Sequence, residues 1–175
     1  ETLHSEFEVK EVLTNRDLKI FFSLPQAIYP DKYPQYVQPL NFHLKMMIGK
    51  LGTPKKHLFT VFVNNKPVAR AGFKVHTHAG KDALHFGFYE CKEGYQQATQ
   101  LLFEKAHSLY PNLPIRGPFH FRMEDPYVGV LTEGFELAPY FLMPYNPPYY
   151  AEYLQQVGLH KLMDLFTYQV RADRK

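Results

Sequence analysis

The hydrophobic pattern of this chain changes period several times, and each change marks an element. Phe7 to Leu13 reads as a first strand. Thr14, with Asp17 three residues later, resembles a capping box and predicts a helix from about Asn15. Its apolar face is Leu18, Phe21, Phe22 and Ile28, and Pro25 should kink or split it. Tyr29 to Pro39 carries three prolines and predicts an ordered loop. A second helix, about Phe42 to Ile48, ends before Gly49 and Gly52.

Leu58 to Val63 is a continuous apolar run, followed by a turn at Asn64-Asn65-Lys66-Pro67. Val68 to His78 alternates with period two. Ala69, Ala71, Phe73, Val75 and Thr77 face one way; Arg70, Gly72, Lys74, His76 and His78 face the other. A turn at Ala79-Gly80-Lys81-Asp82 leads to Leu84–Cys91, the third strand of an antiparallel meander. Glu93 to Tyr110 carries the strongest helical period, with Tyr95, Ala98, Leu102, Ala106 and Leu109 on one face. Ile115 to Phe121 predicts a short strand, Arg122 to Pro139 a loop, and Tyr140 to Met143 an extended piece. Tyr149 to Val157 predicts a short helix closed by Gly158, and Leu159 to Val170 a last strand. One strand-helix-strand crossover in an otherwise antiparallel meander gives a mixed α/β (α+β) fold, a mostly antiparallel central sheet flanked by helices.

Composition narrows the reading. The 175 residues suit one domain, with no repeat or low-complexity linker to divide them. Cys91 is the single cysteine, which excludes an internal disulfide framework and fits a reducing, cytoplasmic setting. No apolar run approaches the ~20 residues of a membrane span, and no signal-peptide pattern is present. Membrane association is therefore not expected. The chain begins at Glu1 without a methionine, which implies processing or trimming. The net charge of +3 is scattered, and the densest cluster, Lys55-Lys56-His57, is too small to imply nucleic acid. Fifteen Phe and 13 Tyr without Trp suit an aromatic core or an apolar groove.

A simple hairpin about the 79–82 turn would set Phe73 opposite Phe88, Ala71 opposite Glu90 and His76 opposite His85. His78 follows two residues along the histidine face. Lys74 and Arg70 share that face and oppose a dication, so no metal is expected. Cys91 lies near a helix N-terminus, which lowers a thiol pKa, but no base is positioned for it and a structural role is expected. The least ordinary stretch is Met143-Pro144-Tyr145-Asn146-Pro147-Pro148-Tyr149-Tyr150. Asn146 can cap the following helix with Pro147 as its first residue. Alternatively Pro148 disfavours a helical Pro147, starts the helix itself and leaves the Asn146 amide free for another partner.

The element order matches that of GNAT-type acyl-CoA N-acyltransferases, and the chain resembles them. The blocks FFSLPQAIYP, FGFYEC, IRGP, GVLTEGFE, MPYNPPYY and MDLFTYQV resemble an uncharacterised bacterial family classed with the GNAT proteins, over about Phe21 to Val170. Members often continue into a further C-terminal domain, so this chain would be the N-terminal half of that architecture. The resemblance implies the GNAT fold and transfer of an acyl group from acyl-CoA to an amine acceptor. It places the pyrophosphate on the Lys92-Glu93-Gly94-Tyr95-Gln96 turn, where only Gly94 meets the usual Gly-rich pattern. Glu93 must turn outward to spare the phosphates, with Lys92 as compensation. Glu90 is the implied general base, a strand-end glutamate reaching solvent being the alternative. Tyr149 or Tyr150 is the implied acid, or a packing and a hydrogen-bonded tyrosine. Asn146 is implied to face substrate; Arg116, in IRGP, is a further substrate-binding candidate. The Phe119-His120-Phe121-Arg122 stretch departs from the more polar, Asn-containing one usual in the family. Two other outcomes stay open: a catalytically inactive ligand-binding or interaction module, and a homodimer through strand addition at an open sheet edge.

Overall fold

The computed structural model describes residues 6–121, 127–168 and 170. Strand β1 (Phe7–Glu11) leads into helix α1 (Asn15–Ser23). The capping box forms: the Asp17 amide donates to the Thr14 hydroxyl at 3.2 Å, and the Thr14 amide donates to the Asp17 carboxylate at 2.8 Å. Pro25 ends the helix in a 3-10 turn, Leu24–Ala27. Helix α2 (Asn41–Ile48) closes at Gly49, whose φ of 67° suits glycine.

Strands β2 (Lys56–Val63), β3 (Lys66–His78) and β4 (Lys81–Cys91) form the meander. Both turns are two residues long, shorter than the sequence predicts. Asn64 and Asn65, then Ala79 and Gly80, all take positive φ, and that twist matches the strands they join. Helix α3 (Gln96–Leu109) starts three residues later than expected, after a turn at Gly94, φ 85°. Strand β5 (Ile115–Arg116) and helix α4 (Tyr150–Gln156) follow. The sheet order is β1-β2-β3-β4-β5, antiparallel except for the parallel β4–β5 pair. One face packs Phe59, Phe73 and Phe86 against α3 and α4; the other packs Leu58 and Phe88 against α1 and α2.

The register departs from the simple hairpin. Phe73 pairs with Phe86, Lys74 with His85, His76 with Ala83 and Arg70 with Glu90. The tight turn moves the pairing by two residues. A β-bulge then sets Phe88 and Tyr89 against the single residue Ala71, with Phe88 at φ 53°. One extra residue exchanges the faces of all that follows. Glu90 therefore leaves the Ala69-Ala71-Phe73 row and joins the face of Arg70.

Three further expectations need correction. β5 is two residues, not Ile115–Phe121, because the chain leaves the ladder at Gly117-Pro118 and crosses over β4. The Phe119 amide still donates to the Phe86 carbonyl at 2.7 Å. Tyr140 to Met143 is a turn, closed by the Met143 amide on the Tyr140 carbonyl at 3.0 Å. Residues 159–168 and 170 form no strand, and Leu162, Phe166, Tyr168 and Val170 are exposed. Alternation supplies a face, but a strand also needs a partner strand; among the described residues this segment pairs with none, and the Leu159 amide bonds back to the Leu154 carbonyl of α4 at 3.2 Å. Of the expected Arg122–Pro139 loop, residues 127–139 are irregular and 122–126 lie outside the described residues, as does Gln169.

The crossing explains Gly87. A Cβ there would stand 2.0 Å from the Phe119 carbonyl oxygen. Gly87→Ala should lower the unfolding free energy by about 3 kcal/mol, read as a shifted urea midpoint. An unchanged midpoint would mean that the crossing yields freely.

Candidate functional site

The bulge carries Glu90 into a pocket enclosing about 80 Å³. Tyr29 and Tyr36 reach it from the proline-rich loop, Arg70 and Phe88 from the sheet, His120 from beyond β5, and Asn146 from the run before α4. The loop tyrosines are ordered by stacking, Tyr29 on Tyr36 with centroids 3.6 Å apart.

Arg70 is the cation of this site. Pattern alone assigns it to a solvated face, yet α1 covers that face and leaves Arg70 only 3% exposed. Its Nη1 donates to the Phe21 carbonyl at 2.6 Å and its Nε to the Phe88 carbonyl at 3.0 Å. The guanidinium lies 4.7 Å over the Phe21 ring. Nη2 is 3.9 Å from Glu90 Oε1.

Glu90 Oε2 accepts from the Tyr29 hydroxyl at 2.8 Å and from the Tyr150 hydroxyl. Burial pushes the Glu90 carboxyl above its ordinary value, opposed by the Arg70 charge and the two hydroxyls. Burial first, then the Glu90 charge, pushes both phenols up, so Tyr29 and Tyr150 remain protonated donors. The alternative of a solvent-reaching Glu90 does not hold.

Helix α4 lays three tyrosines across the end of β4. The Cys91 amide donates to the Tyr150 hydroxyl at 2.9 Å, and the Tyr149 hydroxyl donates to the Cys91 carbonyl at 2.7 Å. The Gly94 amide donates to the Tyr153 hydroxyl at 2.8 Å. These phenols supply the backbone partners that β5, ending at Arg116, does not. Cys91 itself is buried, and burial pushes its thiol up to about 11, which removes it as an activated nucleophile.

The Lys92–Gln96 turn has some of the features a phosphate-bearing group needs. Tyr95 occupies the N-cap position of α3 without a side-chain cap bond, and a Cβ on Gly94 would meet nothing within 4 Å. Glu93 turns outward as required, 2.6 Å from Lys32 at the surface. The Lys92 amide is committed to Val68, at 2.8 Å. The Tyr95 amide is likewise committed, to the Lys92 carbonyl at 3.2 Å, so the residues fit such a group through Lys92 and Gln96, and through Gly94 once the Tyr153 hydroxyl gives up its amide.

Of the two substrate candidates, Asn146 lines the pocket but is already hydrogen-bonded, and Arg116 lies elsewhere. The Asn146 amide is not free: Oδ1 accepts from the Leu131 amide at 2.7 Å, while Nδ2 donates to the Leu131 and Pro147 carbonyls at 3.2 and 2.9 Å. It clasps one loop to the start of another. Nor does it cap α4, which begins at Tyr150 after a turn. Arg116 is exposed at the end of β5 and lies outside the pocket wall, because the Gly117-Pro118 turn brings Pro118 and His120 there instead. Tyr29, Arg70 and His120 escaped the sequence reading, since neither spacing nor period marks them. His76 and His85 stack with centroids 4.6 Å apart, although they are not register partners, and burial pushes His85 down to about 4. Among the described residues no three His, Cys, Asp or Glu side chains gather to hold a metal, and no helix is long and apolar enough to cross a membrane.

No protein-family model matches the chain. Among curated proteins it is similar to Protein YghO of Escherichia coli (strain K12), 29% identical over 171 residues. The match covers 91% of this chain and 43% of that protein, so the chain spans less than half the length of this relative. Among solved structures it is similar to aminoglycoside N-acetyltransferase AAC(6')-Iy in complex with CoA, with TM-score 0.54, 10% identity, and coverage of 98% of this chain and 99% of that one. A predicted acetyltransferase from Clostridium acetobutylicum, solved with acetyl-CoA, gives TM-score 0.54 and 10% identity over 94% of this chain and 96% of that one. The aminoglycoside acetyltransferase meta-AAC0020 from an uncultured soil metagenomic sample gives 0.52 and 12% over 94% and 97%. The chain thus has the GNAT acetyltransferase fold.

The Asn146 clasp has a measurable consequence. Asn146→Ala leaves two Leu131 groups without that partner and should lower stability by about 2 kcal/mol in denaturant titration. A loss below about 0.5 kcal/mol would return Asn146 to the ligand side.

Proposed function

We propose that the chain is a GNAT-type N-acyltransferase that moves an acyl group from acyl-CoA, or a similar thioester, to a small amine. The observation that carries this reading is the hydrogen-bonded run from Glu90 through Tyr150 to the Cys91 amide, beside the uncapped N-terminus of α3. Structures of the same fold solved with CoA and acetyl-CoA support it.

When bound, the thioester supplies an activated acyl carbonyl; proximity does most of the remaining work. The Lys92 side chain and the Gln96 amide, with the Gly94 amide once Tyr153 releases it, would hold its phosphates on the positive end of the helix; the Tyr95 amide is committed to the Lys92 carbonyl at 3.2 Å. Glu93 stays turned toward Lys32. Glu90 takes the proton released by the attacking amine, its basicity raised by burial. Tyr150 passes its own proton to the leaving sulfur and regains one from Glu90 Oε2 through the bond they share. Tyr149, committed to the Cys91 carbonyl, positions the strand end.

Isothermal titration with acetyl-CoA and longer acyl-CoAs should give saturable heat; no heat with any of them removes the donor and leaves a binding module. In thiol-release assays against a panel of amines, Glu90→Gln should lower kcat by about 10²–10⁴. The sign of the pH dependence follows from the raised carboxyl. The base works deprotonated, so kcat/KM should climb with pH on a limb above the ordinary glutamate value of 4.5, and Glu90→Gln should erase that limb.

A further inference from the structure

We propose that the Glu90 pocket takes an amine carried on an aromatic body, and that His120 is the residue that hydrogen-bonds it. This rests on the acyl-transfer reading, which leaves the acceptor open.

Two independent observations support it. His120 lines the pocket, and its Nδ1 is buried with no hydrogen-bond partner among the described residues. Such an atom is costly unless something completes it, and a ligand group at this wall would do so. The ring is held by its neighbours, 4.2 Å from Phe88 and 5.3 Å from Tyr127 between centroids. Burial first, then the charges of Arg70 and His43, pushes His120 down to about 3. Near neutral pH it therefore offers one nitrogen that donates and one that accepts.

The second observation is the mouth. Val37 and Met143 line the pocket while being 64% and 39% exposed, and Tyr29, Tyr36 and Tyr145 continue the wall inward. Exposed apolar side chains at the rim of a cleft match an apolar ligand. The inner space of about 80 Å³ takes the amino group and the carbon bearing it, and the ring lies against the rim. An amine in this pocket has both Glu90 and His120 in its wall.

The test is calorimetric titration of 2-phenylethylamine and of the polycationic aminoglycoside sisomicin, each with and without CoA present. 2-Phenylethylamine should bind at least about tenfold more tightly than sisomicin. His120→Phe keeps the ring packing and loses the nitrogens; it should weaken 2-phenylethylamine by about tenfold, the value of one net hydrogen bond. Its melting temperature should hold or rise, since an unpartnered nitrogen is removed. His120→Asn, which restores a polar group, should recover part of the affinity. Tighter sisomicin binding, unchanged affinity in His120→Phe, or no amine binding in either condition would overturn the proposal. If His120→Phe does not fold, His120→Leu, which also lacks the nitrogens, decides in its place, and unchanged affinity there also overturns it. Amine binding without acyl-CoA binding would remove only the acyl-transfer reading; acyl-CoA binding without amine binding would remove only this one.

Discussion

A single buried guanidinium braces the site. The bulge at Phe88 and Tyr89 takes the Phe88 carbonyl out of the ladder, and Arg70 picks it up. The same side chain bonds the Phe21 carbonyl at the end of α1, where the helix dipole favours a cation. Strand, bulge and helix thus meet on one group. A buried charge is costly unless satisfied, and two carbonyls, an aromatic face and the nearby Glu90 together satisfy this one. Removing it would strand both carbonyls and leave Glu90 without its cation.

The bulge also explains why Glu90 faces the pocket. Without the extra residue, Glu90 would point into the layer packed by α3; with it, Glu90 faces α1 and the tyrosines of the proline-rich loop. Burial raises its carboxyl, while Arg70 and two phenols restrain the rise. Such a balance suits a group that must both accept and release a proton.

Beyond Arg116 the sheet stops and tyrosines take over. The Cys91 amide and carbonyl, which a neighbouring strand would otherwise bond, are bonded by Tyr150 and Tyr149, and the Gly94 amide in the turn that follows by Tyr153. Side-chain hydroxyls can be withdrawn without breaking a ladder, whereas a strand cannot. The end of β4 is thereby hydrogen-bonded on this side although, among the described residues, no strand runs beside it there.

Local chemistry was legible where it acts over a few residues. The Thr14–Asp17 capping box, the break at Pro25, the meander and the Ala98-Leu102-Ala106 stripe of α3 follow from the sequence, because caps, fixed φ and period are short-range constraints; Leu109, expected on that stripe, is exposed. Resemblance to a fold singled out Glu90, Tyr149 and Tyr150, and the structure brings Glu90 and Tyr150 into one hydrogen bond. The register, the burial of Arg70, the commitment of Asn146 and the place of His120 were decided only in three dimensions. One bulge residue reverses every face after it, and no local pattern marks where it falls. Whether a polar side chain is a surface charge, a clasp or a pocket wall depends on which distant segment covers it. The alternation of Leu159 to Val170 shows the converse: sequence supplies a face, but a strand exists only where another backbone meets it.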